Sequence, residues 1–159
     1  VPGVPVIARL SPRTRRVAVV VLRLAIAAVF VSAAIPKLMD PASFARDVDN
    51  YHVLPAALVG PVAVALPVIE LVVAAALVSG VHAAGAALIA MGMLVVFALG
   101  MVQALARGID LDCGCFGSAM EARVSGATVT RNVILALACL PIVLASDRRE
   151  PPRAAEAST

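Results

Sequence analysis

Four long apolar stretches, each bounded by charged or turn-forming residues, dominate the chain. The first runs from Val17 to Pro36 and is interrupted by Arg23; the second runs from Pro55 to Ser79 and is interrupted by Glu70. The third, Ala83 to Ala106, carries no charged side chain, and the fourth, Ala127 to Ser146, has Arg131 near its start. Apolar residues continue almost all the way around each helical turn instead of forming one stripe, the pattern of helices surrounded by lipid. About 20 apolar residues suffice to cross the hydrocarbon core as a helix. The pattern therefore predicts an all-α integral membrane protein, a four-transmembrane-helix bundle with one short interfacial helix. That short helix is expected over Asp40 to Val48, where Asp40 suits a cap, Pro41 a first-turn position, and Phe44 and Val48 share a face. Tyr51 and His52 then fall near the water boundary.

Within the spans, Pro61, Pro67 and Pro141 are tolerable because neighbouring helices can re-satisfy freed carbonyls. Gly85, Gly92 and Gly100 in the third span are expected to permit close helix approach. Residues 1–16 read as a basic tail, 17–146 as the membrane domain, and 147–159 as a polar, disordered tail.

Composition strengthens this picture. Of the 159 residues 62% are hydrophobic and 14% charged, with a mean hydropathy of +1.00, whereas soluble domains are about 45–50% apolar. The net charge is +3, and arginines cluster at the two ends. Arg9, Arg13, Arg15 and Arg16 precede the first span, and Arg148, Arg149 and Arg153 follow the fourth. An even number of spans puts both tails on one side, and arginine-rich segments stay in the cytoplasm. The expected location is thus the bacterial inner membrane, with both termini cytoplasmic and the Lys37–Leu54 and Arg107–Gly126 loops outside. The first span reads as an uncleaved anchor, because Ile35-Pro36-Lys37 is a poor cleavage site. No exposed basic surface suited to nucleic acid is apparent.

Candidate chemistry concentrates in Asp110-Leu111-Asp112-Cys113-Gly114-Cys115-Phe116-Gly117. A bridge between Cys113 and Cys115 would close a small, strained ring, and strain makes a disulfide more reactive in exchange. Three readings stay open: redox exchange, a structural staple, and metal binding with a soft third ligand such as Met101 or Met120. The pair alone does not make a closed tetrahedral metal site. Asp110 and Asp112 oppose thiolate formation, so a cation such as Arg123 or Arg131 is needed nearby. Cys139, inside the fourth span, reads as a small, inert core residue.

Charges inside the spans are expensive and find partners. Arg23 and Glu70 both lie roughly 20 Å from the outer ends of their spans when those ends are set at Pro36 and Pro55. An Arg23–Glu70 pair is therefore expected, either fixing helix register or forming a polar pocket with Arg131 and Asn132. Lys37 belongs either to that polar set or to the interface as an anchor.

The chain resembles the MauE family of methylamine-utilisation membrane proteins within the DoxX-like superfamily. The resemblance rests on Arg23 followed by Pro36-Lys37-Leu38 and Asp40-Pro41, on Tyr51 with Leu54-Pro55, and on Pro67 with Glu70. Cys113-Gly114-Cys115-Phe116-Gly117 and Arg131-Asn132 complete it. It implies thiol–disulfide chemistry outside the cytoplasm, with Cys113 and Cys115 as the redox pair and Arg23, Glu70 and Arg131 as the matching polar positions. The implied partner is a thioredoxin-like protein or a cysteine-containing client, in maturation of methylamine dehydrogenase or another secreted enzyme. A membrane quinone is a candidate acceptor. Two other classes compete: a non-enzymatic scaffold or assembly factor whose cysteines only shape the loop, and a small-solute or metal transporter.

Overall fold

The computed structural model describes residues 11–107 and 126–147. Helix α1 spans Pro12–Met39, α2 Pro41–Asn50, α3 Ala56–Ser79, α4 Ala83–Ala106 and α5 Gly126–Asp147. Among the described residues there is no strand. Helices α1, α3, α4 and α5 are each long and apolar enough to cross a membrane, and the molecule is an all-α, multi-pass membrane protein.

Local chemistry sets the helix ends. Ser11 caps α1 by accepting from the Thr14 amide at 3.3 Å, and Pro12 opens the helix where its missing N–H is harmless. Helix α1 continues past Pro36 to Met39. Asp40 then serves both neighbours. Its amide donates to the Pro36 carbonyl at 3.1 Å, and its carboxylate accepts from the Ser43 amide at 2.9 Å to start α2. At the other side of the bundle, Gly80 adopts φ +79° and its amide donates to Ala76 O at 3.0 Å, ending α3 in a left-handed cap. Only Gly80, Val81 and His82 separate α3 from α4.

The Asp40 cap is directly testable. Asp40→Ala should lower stability by about 1 kcal/mol, the usual worth of an N-cap side chain. Asp40→Asn, which keeps the acceptor, should lose much less. Equal losses for both, in denaturing-detergent titrations of the purified protein, would remove capping as the explanation.

Packing makes two close pairs, α1 on α3 and α4 on α5, joined by lighter α3–α4 and α1–α5 contacts. The order around the bundle is therefore α1, α3, α4, α5. Arg23 of α1 meets Leu77 of α3, and Lys37 of α1 meets Glu70, so these two helices run antiparallel. One end of the bundle accordingly carries α2, the last turns of α1 and α4, and the first turns of α3 and α5. The opposite end carries the tight α3–α4 turn.

Between 28% and 33% of each span is buried within the protein. The remainder presents side chains such as Val64, Val72, Val96, Leu99 and Ile134 outward, as lipid-facing surfaces do. The interior is made largely of small residues: Ala27, Ala74, Ala87, Ala90, Ala136 and Cys139 are nearly or fully buried. Without water to drive apolar faces together, close packing over small side chains is the main source of helix association in a bilayer. The residues that permit that approach are not the glycines expected from the sequence. Gly85 and Gly92 have open space where a Cβ would be, and only Gly100 has a neighbour, the Tyr51 ring. Alanines at Ala83, Ala86, Ala87, Ala90 and Ala98 form the buried face of α4 instead.

Candidate functional site

One polar cluster is buried within the apolar bundle. Lys37, in the last turn of α1, is 3% exposed and pairs through Nζ with Glu70 Oε1 of α3, which is 1% exposed. Two aromatic rings complete the surroundings of the ammonium. Its Nζ lies 5.1 Å from the centre of the Phe44 ring and 5.4 Å from that of Phe97, within the range where a cation is attracted to a ring face. Phe44 comes from α2, so the short helix both covers Lys37 and shields it from the bundle end. Pro67, one turn before Glu70, is itself fully buried.

Asn132 of α5 joins this cluster. It is 4% exposed and lines a small pocket with Lys37 and Glu70, walled by Val29, Phe30, Leu94 and Phe97. The structure thus brings together three of the expected polar residues: Lys37, Glu70 and Asn132. Arg131 is half-buried beside Asn132 in the second turn of α5. The cluster is neutral overall because one ammonium faces one carboxylate, so it attracts neither ion strongly.

Arg23 is elsewhere, and the expected Arg23–Glu70 pair is not formed. Its Nε and Nη2 donate to Leu77 O at 2.8 and 2.6 Å, and Nη2 also reaches Val78 O at 3.2 Å. These are carbonyls at the C-terminal end of α3, which lack helical partners and carry the negative end of the helix dipole. The reason is register. Pro36 and Pro55 are not level, because α1 runs to Met39 and α2 carries the chain further before α3 begins. Arg23 therefore sits opposite the last turn of α3, and the end of α1 sits opposite Glu70. The same register rules out the anchor reading of Lys37, whose flexible stem delivers its charge into the bundle. The signal that sequence reasoning underweighted was the identity of this residue: it is the single lysine in a chain whose other basic side chains, apart from two histidines, are arginines.

A larger cavity of about 420 Å³ opens between α2, α3 and α4, lined by Phe44, Val48, Tyr51, Leu66, Phe97 and Gln103 among others. Lys37 borders it as well, so the ion pair stands between this cavity and the small central pocket. Such a volume is in the range of small-molecule sites, and its apolar walls suit a membrane-soluble molecule.

Cys113 and Cys115 lie outside the described residues, as do Arg123 and Met120. Met101, weighed as a soft metal ligand, is 1% exposed within the bundle. Cys139 is fully buried, with Sγ donating to Leu135 O at 3.4 Å. Among the described residues, no group of three or more His, Cys, Asp or Glu is placed to hold a metal.

Comparison with known proteins gives this arrangement a family. The family model described as methylamine utilisation protein MauE matches residues 15–145. The chain is 37% identical over 139 residues to methylamine utilization protein MauE of Paracoccus denitrificans, covering 87% of this chain and 75% of that protein. It is 39% identical over 108 residues to the protein of that name from Methylorubrum extorquens, covering 67% of this chain and 58% of the relative. For the Paracoccus versutus protein the identity is 39% over 115 residues, covering 72% and 62%. The matched region thus falls short of two thirds of the length of these last two relatives. No solved structure matches the chain. Since the match runs from the first turns of α1 almost to the end of α5, taking in Lys37, Glu70 and Asn132, this chain belongs to the MauE family.

Proposed function

We propose that this protein is a membrane thiol–disulfide exchange component that acts through Cys113 and Cys115 on the outer face of the inner membrane. The observation that carries the reading is the Cys113-Gly114-Cys115-Phe116-Gly117 run between α4 and α5. That connection leaves and re-enters the bundle at the α2 end, opposite the end where Arg13, Arg15 and Arg16 begin α1. Arginine-rich ends face the cytoplasm, and disulfides persist on the other side.

In this mechanism a client thiolate attacks one sulfur of the Cys113–Cys115 disulfide. The S–S bond breaks, the second cysteine leaves as thiolate, and a mixed disulfide joins client and membrane protein. A second client thiolate then attacks the mixed disulfide. The client leaves with a disulfide, and the pair is left as a dithiol that has gained two electrons and two protons. A membrane-soluble two-electron acceptor of the quinone class would restore the bridge. Run in reverse from the dithiol, the same steps reduce a client. The relatives' name supplies methylamine utilisation as the setting; within it we propose maturation of a secreted enzyme, with a thioredoxin-like protein or the enzyme itself as client.

The test is the state of the two cysteines in intact cells. Thiols are blocked with a membrane-impermeant, mass-adding alkylator before and after mild reductant. The expected result is a bridge that opens with mild reductant, and a Cys115→Ser variant that accumulates a larger mixed disulfide whose partner can be identified. Replacing both cysteines with serine should leave the client reduced or misbridged. Free thiols throughout, or a resistant bridge that traps nothing, would sink the exchange mechanism and favour a scaffold.

A further inference from the structure

All four long helices meet at the small pocket beside the ion pair: Phe30 and Lys37 from α1, Glu70 from α3, Leu94 and Phe97 from α4, and Asn132 from α5. Two polar atoms of its lining residues, Glu70 Oε2 and Asn132 Nδ2, are fully buried and have no hydrogen-bond partner among the described residues. Buried polar groups are nearly always satisfied, by protein or by ordered water. The two are chemically complementary, since a carboxylate oxygen accepts and an amide nitrogen donates, yet they are not bonded to each other. Both residues line a pocket of about 20 Å³. A water molecule needs roughly 10–15 Å³, so there is room for one.

We propose that this pocket is a binding site for a single resident water, which accepts from Asn132 Nδ2 and donates to Glu70 Oε2. The rival occupants fit the chemistry poorly. A cation would face the Lys37 ammonium, an anion would face the Glu70 carboxylate, and an apolar group would leave both polar atoms unsatisfied. The water completes a hydrogen-bonded chain from Lys37 through Glu70 to Asn132. That chain crosses the bundle from α3 to α5, two helices that are not principal packing partners. It thereby ties the α1–α3 pair to the α4–α5 pair at a level one turn and a half inside the start of α5.

The deciding experiment is a structure of the full chain in lipid nanodiscs, at a resolution that shows ordered waters, for the wild type and Asn132→Leu. The expected wild-type map has one peak within about 2.7–3.2 Å of both atoms, and the variant map lacks it. A wild-type map with no peak there overturns the proposal, as does a Glu70 Oε2 bonded directly to a protein donor. Should Asn132→Leu fail to fold, the wild-type map decides alone.

Discussion

Glu70→Ala should destabilise the folded bundle by about 3–5 kcal/mol, the usual cost of stripping one partner from a buried ion pair. The basis is burial. Lys37 and Glu70 are 2% and 1% exposed at their side chains, and removing the carboxylate strands an ammonium among Phe44, Phe97 and aliphatic neighbours. Two ring faces give the ammonium about 2 kcal/mol each when desolvated, which offsets only part of the cost of a buried charge without its counter-ion. Lys37→Ala should be similarly severe, because Glu70 is then the uncompensated charge. The double variant Lys37→Met, Glu70→Leu should behave differently. With both charges gone, the desolvation cost disappears, and stability should return to within about 1 kcal/mol of wild type or exceed it by up to ~4 kcal/mol. Reversible unfolding in mixed micelles measures all three. A loss below ~1 kcal/mol in either single variant would mean that water reaches the pair freely.

Gly80→Ala should cost up to about 5 kcal/mol, from two separable sources. At φ +79° any residue with a Cβ pays roughly 1–2 kcal/mol for the left-handed conformation. In addition, the new methyl would stand 2.5 Å from Arg23 Nη2 and 3.0 Å from Nη1, so the guanidinium must shift, at the expense of its hydrogen bonds to the Leu77 and Val78 carbonyls. Hydrogen bonds to charged groups are worth about 1.5–3 kcal/mol. Arg23→Ala in the Gly80→Ala background should therefore cost little beyond the first substitution, a non-additivity of neighbours. Gly85→Ala and Gly92→Ala supply the contrast. Both glycines lie inside α4 with open space around the Cβ position, so alanine should be neutral or stabilising by up to ~1 kcal/mol. Full additivity of Arg23→Ala and Gly80→Ala would show that the two residues act independently.

The sequence made the architecture legible because its signal is composition over long windows. Four apolar runs of spanning length, surrounded by lipid, leave few alternatives to a helical bundle. The short helix α2 was legible from local chemistry, since Asp40-Pro41 is a start signal and Phe44 supplies the buried face. Cys139, a small residue inside a span, is buried as expected. Pairing of the intramembrane charges was not legible. It depends on the axial register of α1 against α3, and residue spacing within each helix says nothing about how far one has slid past the other. Arg23 also escaped because its partners are backbone carbonyls, which every residue has and no sequence pattern marks. The choice between glycine and alanine as the close-packing residues of α4 likewise depends on which face turns inward, and a span that is apolar all round carries no such marker.

The order of the two buried charges along the chain bears on how the protein enters the membrane. Synthesis runs from the N-terminus, so the helix carrying Lys37 reaches the bilayer before the helix carrying Glu70. A lysine near a helix end can hold its ammonium in the headgroup region on its four-carbon stem. A glutamate halfway along an apolar helix has no such refuge, and its insertion is opposed until a counter-ion arrives. The chain thus delivers first the charge that can remain at the water boundary, and second the one that needs a partner on entry. Exchanging the two, with glutamate at position 37 and lysine at position 70, would keep the pair and reverse that sequence of events.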